Sequence, residues 1–223
     1  MSNLLSLLKW NLKDRYYYLF ISLAALILLP PFLIHLTFPR YLIYFLLTIV
    51  IVNCTLIIFD KSAESGLGII VLLVVLLILW LSITNDWQNT SLQVIKMLLL
   101  IVFFGFTMVK MVREIFRMEK VTGRVVVGAV GAYLLLGFIG TFLFEIIELL
   151  YPQSFSQLAT FSGFYGKIYF SFVTISTLGY GDITPLTPQA QAISIFVAVS
   201  GQLYLAILMA TLVGKFLKDS TNA

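Results

Sequence analysis

The segment Thr174-Ile175-Ser176-Thr177-Leu178-Gly179-Tyr180-Gly181-Asp182 holds the residue types and spacing best suited to chemistry in this chain. That chemistry is neither nucleophilic attack nor acid–base transfer. Gly179 and Gly181 alternate with Leu178 and Tyr180, and glycine adopts backbone angles that cost other residues energy. An extended strand normally points successive carbonyls to opposite sides. Glycine at alternate positions lets them turn one way, so that a row of oxygens faces a single axis. Such a row can replace the water around a dehydrated cation. The side chains of Leu178 and Tyr180 then point away from that axis and brace the strand from behind.

One strand supplies one oxygen per level, and the chain holds a single such segment. A ring therefore needs several copies related by rotational symmetry. Thr177–Gly181 reach at most about 17 Å, roughly half a bilayer. The other half of the path must be a wider, wet cavity lined by the apolar run that follows. The short apolar run Phe164–Thr174 ends where the strand begins. As a helix, its C-terminal end would carry roughly half a negative charge and favour a cation beside it.

These residues need a membrane around them, and the composition supplies one. Of 223 residues, 61% are hydrophobic and 11% charged, with a mean hydropathy of +1.04. Soluble domains have roughly 45–50% apolar and about 25% charged residues. A cytosolic enzyme, a nucleic-acid-binding domain and a disordered tail are excluded. The single Cys54 excludes an intrachain disulfide, and the single His35 leaves too few soft ligands for a zinc site.

A bilayer core about 30 Å thick needs roughly 20 helical residues. Six stretches qualify as spans: Tyr18–Thr37, Leu42–Phe59, Leu67–Ile83, Val94–Val112, Val125–Ile147 and Ala190–Phe216. Phe164–Thr174 is about half the required length, so it is expected to be re-entrant. Breaks fall at Phe38-Pro39-Arg40, Asp60-Lys61-Ser62 and Thr84-Asn85-Asp86. Pro30-Pro31 are expected to kink the first span. No small-residue cleavage site follows the N-terminal segment, so a retained anchor is expected.

Charge sets the orientation. With the N-terminus cytoplasmic, eleven of the Lys and Arg residues lie inside: Lys9, Lys13, Arg15, Lys61, Lys110, Arg113, Arg117, Lys120, Arg124, Lys215 and Lys218. Three lie outside: Arg40, Lys96 and Lys167. This fits the positive-inside rule and puts both termini of a cell-membrane protein in the cytoplasm. The net charge of +4 is then a topology signal, and nucleic acid is not an expected partner. The expected organisation is a cytoplasmic segment 1–17, a four-helix sensor-like membrane domain 18–112, an amphipathic cytoplasmic linker 110–124, a pore domain 125–217 and a tail 218–223.

The string Thr177–Asp182 resembles the signature of potassium channels, T-V-G-Y-G-D or its variant T-L-G-Y-G-D, and the likeness extends over about Gly123–Phe216. Tyr169–Thr174 resembles the family's pore helix. The resemblance implies a potassium-selective filter in which Thr177 supplies a hydroxyl and a carbonyl, and Leu178, Gly179 and Tyr180 further carbonyls. Gly181 shapes the outer mouth, while Asp182 and Thr174 support the filter from behind. Gly201, twenty residues after Gly181, matches the family's inner-helix hinge glycine. The family's pores are tetramers, so the partners implied are three further copies, lipid and K+. No cofactor is implied beyond the permeant ion, and no enzyme.

Six spans with the pore last also resembles voltage-gated channels, and there the likeness stops. One charge crossing about 100 mV is worth about 2.3 kcal/mol, so steep gating needs several basic residues within one helix. The fourth span has Lys96 and Lys110 with none between, and Arg113 and Arg117 follow at its cytoplasmic end. A voltage-independent pore is expected. The six residues Lys218–Ala223 are too few to form a sensing domain after the last span.

Four residues or pairs keep two readings. Gly201 is either a gating hinge or a point of close helix packing, as Ala198, Ala206, Ala210 and Gly214 on the same run suggest. Glu145 and Glu148, three apart on one face, either form an acidic outer ring that concentrates cations or reach for water at the interface. Gln202 either faces the cavity or bonds to a neighbour. His35 is either an external pH sensor or a bland interfacial residue. The expected fold is an all-α polytopic membrane protein with six transmembrane helices plus a re-entrant pore helix and selectivity filter. The expected function is passive K+ conduction through a homotetramer. The alternatives are a weakly selective cation channel or a non-conducting regulatory subunit with a pore-like fold.

Overall fold

The computed structural model describes residues 14–33, 39–58, 65–84, 89–118, 121–156 and 163–221. Lys9, Lys13, His35, Asp60, Lys61, Asp86 and Lys120 lie outside them. The described chain is helical apart from loops and one isolated β-bridge, Phe155 with Pro185. In order, the helices are α1 (Arg15–Phe32), α2 (Pro39–Ile58), α3 (Ser65–Thr84), α4 (Thr90–Arg117), α5 (Gly123–Leu150), α6 (Gly163–Ile175) and α7 (Pro188–Thr221). Five of them, α1, α2, α4, α5 and α7, are long and apolar enough to cross a membrane. α3 has 20 residues, and its described apolar stretch is Ile70–Ser82. α6 has 13 residues, short of a span. The chain is an all-helical, polytopic membrane protein.

The helix ends follow local chemistry. Pro39 takes the first position of α2, where its missing N–H is not needed. The Asn89 side chain caps α4 by accepting from the Ser91 amide at 2.9 Å. Pro30 and Pro31 fall in the last turn of α1, which ends at Phe32. α4 runs without interruption past Val112 to Arg117, so most of the segment expected to be a linker is helix. Met111 and Ile115 are buried four residues apart and keep its C-terminal end packed.

Membrane helices gain little from the hydrophobic effect against one another, because lipid is equally apolar. Close van der Waals packing holds them instead. α5 is the hub, packed against α1, α4, α6 and α7. Its Gly137 lies so close to α6 that a Cβ there would meet the Phe172 ring at 2.5 Å. Aromatic rings fill the space beside that ridge, with Phe104 against Phe142 at 5.4 Å and Phe138 against Phe172 at 5.5 Å. Hydroxyls inside the bundle donate to their own helices, as Thr107 to Phe103 O and Thr141 to Gly137 O, and so carry no unmet polar group into the apolar layer.

Candidate functional site

α6 carries the site on its C-terminal end. Ser171 Oγ donates to Gly137 O at 2.6 Å, which pins the helix to α5 in its middle. Toward its N-terminus Lys167 pairs with Glu145 of α5 at 2.8 Å, both side chains largely buried. Beyond Ile175 the chain turns back on the helix. Thr177 N donates to Thr174 O at 3.0 Å, and Leu178 N to Val173 O at 3.0 Å. Thr174 and Val173 thus hold the first residues of the strand against the helix that precedes them.

The strand has alternating handedness. Thr177, Gly179 and Gly181 have φ of 59°, 54° and 81°, and Leu178 and Tyr180 between them do not have positive φ. Every second residue reversed is what turning successive carbonyls to one side requires. Glycine takes these angles freely at 179 and 181. Thr177 does not, because a β-branched residue at positive φ is strained by about 1–3 kcal/mol. Glycine spacing in the sequence revealed two of the three reversals; the third sits on a residue that gives no such signal.

The expected brace from Leu178 and Tyr180 is not supplied within the chain. They are 59% and 67% exposed, and Thr177, Gly179 and Gly181 are exposed too. Asp182 does stand behind the strand. Its carboxylate accepts from Tyr169 Oη at 2.6 Å and from the Ile183 amide at 2.9 Å. The Tyr169 donation outweighs slight desolvation and holds the Asp182 carboxyl below the usual carboxylate range. Past Asp182 the backbone is tied to the loop after α5, with Ser156 N on Thr184 O at 2.9 Å and Leu186 N on Ser154 O at 2.8 Å.

α7 passes beneath the strand. A groove on its exposed face is lined by Thr177, Ala198, Val199, Gln202, Leu203 and Ala206. Gln202 Nε2 lies 3.4 Å from Thr177 Oγ1, placing one polar group where the groove meets the strand. Gly201 is buried, and a Cβ there would collide with the carbonyl oxygen and side chain of Ile175. Close packing of α7 across the end of α6 therefore accounts for this glycine without invoking a hinge.

Glu148 lies apart from this arrangement. Both of its oxygens accept backbone amides, from Gln153 at 2.9 Å and Ser154 at 3.1 Å, and so cap the turn after α5. With Glu145 paired to Lys167, both carboxylates have local partners. In the four-helix part, Lys96 is buried beside Ser82 Oγ at 3.4 Å and over the Tyr44 ring at 5.8 Å. Lys110 Nζ donates to Ile58 O and caps the end of α2. Lys215 Nζ, on α7, donates to the carbonyls of Ile115, Phe116 and Met118 at 2.8, 2.9 and 2.5 Å and closes the C-terminus of α4. Sequence reasoning assigned these two lysines to topology and missed their capping roles. Among the described residues no group of His, Cys, Asp or Glu is arranged to hold a metal.

Residues 128–218 match the family model described as an ion channel. YugO of Bacillus subtilis (strain 168), a protein named as a potassium channel, is 40% identical over 68 residues. That stretch is 30% of this chain and spans only 19% of the length of YugO. No solved structure matches the chain. The region matched by the family model takes in most of α5, all of α6, the strand with alternating φ and nearly all of α7.

Proposed function

We propose that this protein is the subunit of a potassium-selective channel, with four copies around one axis and K+ passing between the carbonyls of Thr177, Leu178, Gly179 and Tyr180. The observation that carries the reading is the alternation of φ along Thr177–Gly181 at the end of a half-length helix. A single strand of this kind is useless for coordination, since it offers one oxygen per level. Four would replace the hydration shell on all sides. The exposure of Leu178 and Tyr180 and of the groove on α7 supports further copies as their cover. Gly181 then forms the outer mouth, Asp182 and Thr174 hold the strand from behind, and the groove with Gln202 lines the inner half of the path.

Conduction is passive and needs no cofactor. It does not depend steeply on voltage, because α4 has no basic residue between Lys96 and Lys110, and Arg113 and Arg117 stand only in its last two turns. Both termini lie in the cytoplasm of a cell whose surface membrane holds the channel.

The test is a reversal potential in planar bilayers of purified protein, with K+ on one side and Na+ on the other. A value near the K+ limit supports the reading, and Gly179→Ala is expected to abolish that selectivity while leaving insertion intact. Robust current reversing near zero would replace it with a weakly selective pore. Where no current flows, heating in K+ or Na+ decides: K+-specific stabilisation of a tetramer keeps the filter, and equal stability favours the non-conducting subunit.

A further inference from the structure

At the membrane face where α4 ends, the described cationic side chains divide into two groups. Arg15, Lys110 and Lys215 turn inward. Arg15 pairs with Glu114 at 2.8 Å, and the two lysines cap the carbonyl ends of α2 and α4. Arg113 and Arg117 turn outward. Both are exposed, and among the described residues neither has a hydrogen bond or an ion pair. Arg124, in the first turn of α5, is also about half exposed and lies 3.7 Å from an equally exposed Asp14. The nearest carboxylate on their own helix is Glu114, which already accepts from Arg15 and Tyr16.

We propose that Arg113 and Arg117 hold the phosphate headgroup of an anionic phospholipid. Arg113 and Arg117 are one helical turn apart and share a face. Because α4 continues as helix to Arg117, they are presented on a rigid rod. Guanidinium stays charged at any physiological pH, is weakly hydrated, and offers a planar fork that matches phosphate oxygens. The carbonyl end of α4 would repel an anion, but Lys215 already neutralises it.

An apolar side chain beside the arginines selects a lipid over a free anion. Phe116, next in sequence to Arg117, is 43% exposed. A headgroup attached to acyl chains satisfies both kinds of surface together, guanidinium on phosphate and ring on hydrocarbon. A free phosphate meets only the first.

The test needs no ion flux, so its failure is distinct from failure of the channel reading. The purified full chain in mild detergent is melted while phosphatidylglycerol, phosphatidylcholine or sodium phosphate is added. Phosphatidylglycerol is expected to raise the melting temperature, and the other two are not. In R113Q/R117Q the half-effect concentration is expected to rise about 25-fold, at about fivefold per arginine near a lipid surface. An unchanged half-effect concentration overturns the proposal. Equal action of phosphatidylcholine leaves only bulk solvation by lipid, and equal action of sodium phosphate leaves only a free-anion site; either result also overturns it. Should the double variant fail to fold, native mass spectrometry of the wild type decides. Preferential retention of phosphatidylglycerol over phosphatidylcholine supports the proposal, and equal retention overturns it.

Discussion

α5 and α7 flank the same half-helix, are similarly apolar and are both long enough to cross a membrane, yet their surroundings differ sharply. In its most apolar stretch α5 is 61% buried, while α7 is 11% buried. α5 touches four other helices; α7 packs along one face on α5 and α6 and leaves the rest of its surface bare. Gly201 lies on the end of α6, Tyr204 donates to Ala129 O at 2.6 Å, and Lys215 closes α4. Apolarity alone does not say what a membrane helix packs against. The chain finishes its own packing around α5 and leaves α7, with the strand above it, open on one side.

If α7 is held along one face, substitutions on that face should matter and equal substitutions on its bare face should not. The largest effect is expected for Gly201→Ala, whose new methyl meets backbone that cannot swing aside. A loss of about 1–3 kcal/mol is expected, read as a fall in the thermal midpoint of the purified protein. Gly214→Ala on the same helix has open space around it and should change the midpoint little, or raise it by up to about 1 kcal/mol of helix propensity. Equal responses of the two variants would break the contrast between the packed face and the bare one.

Lys215→Met keeps the length of the side chain and removes its three carbonyl contacts. A cost of about 1–2 kcal/mol is expected, with faster amide exchange over 115–118 as its local sign. Tyr204→Phe removes a single hydroxyl and should cost about 1 kcal/mol in the same melt. The smallest effect should come from acid. Asp182 has a lowered pKa in the folded chain, so its contribution is fully present above its unfolded value near 3.8 and is lost as pH falls through the folded value below that. A shallow loss of stability beginning below about pH 4 is expected in the wild type and should be absent from Asp182→Asn.

Much of this molecule is legible in one dimension. Apolar runs of the expected spans mark six helices, five of them long and apolar enough to cross a membrane, because a bilayer forces each span to be continuous. The string from Thr177 to Asp182 marks the strand, because glycines at alternate positions report a backbone demand directly. The rest depends on contacts between distant segments. Nothing local says that Lys215 will reach α4 or that Lys167 will neutralise Glu145, so these charges read as surface residues. Gly201 permits hinge and packing equally until Ile175 is placed against it. Arg113 and Arg117 read as the end of a span and the start of an amphipathic linker, and how far the helix runs shows only once Met111 and Ile115 are placed in the core.

The bareness of α7 also bears on how the molecule is made. Helices α1 to α6 find their partners within one chain, so their docking is first order and indifferent to how many copies exist. α7 buries 11% of its apolar stretch by itself, and the remainder must be covered from outside. If lipid supplies the cover, completion is again independent of dose. If other copies supply it, the final step rises steeply with the number of chains per area of membrane. A cell making few chains would then hold nearly complete folds and almost no finished assemblies. Expression level would act as a threshold on the yield of assembled protein.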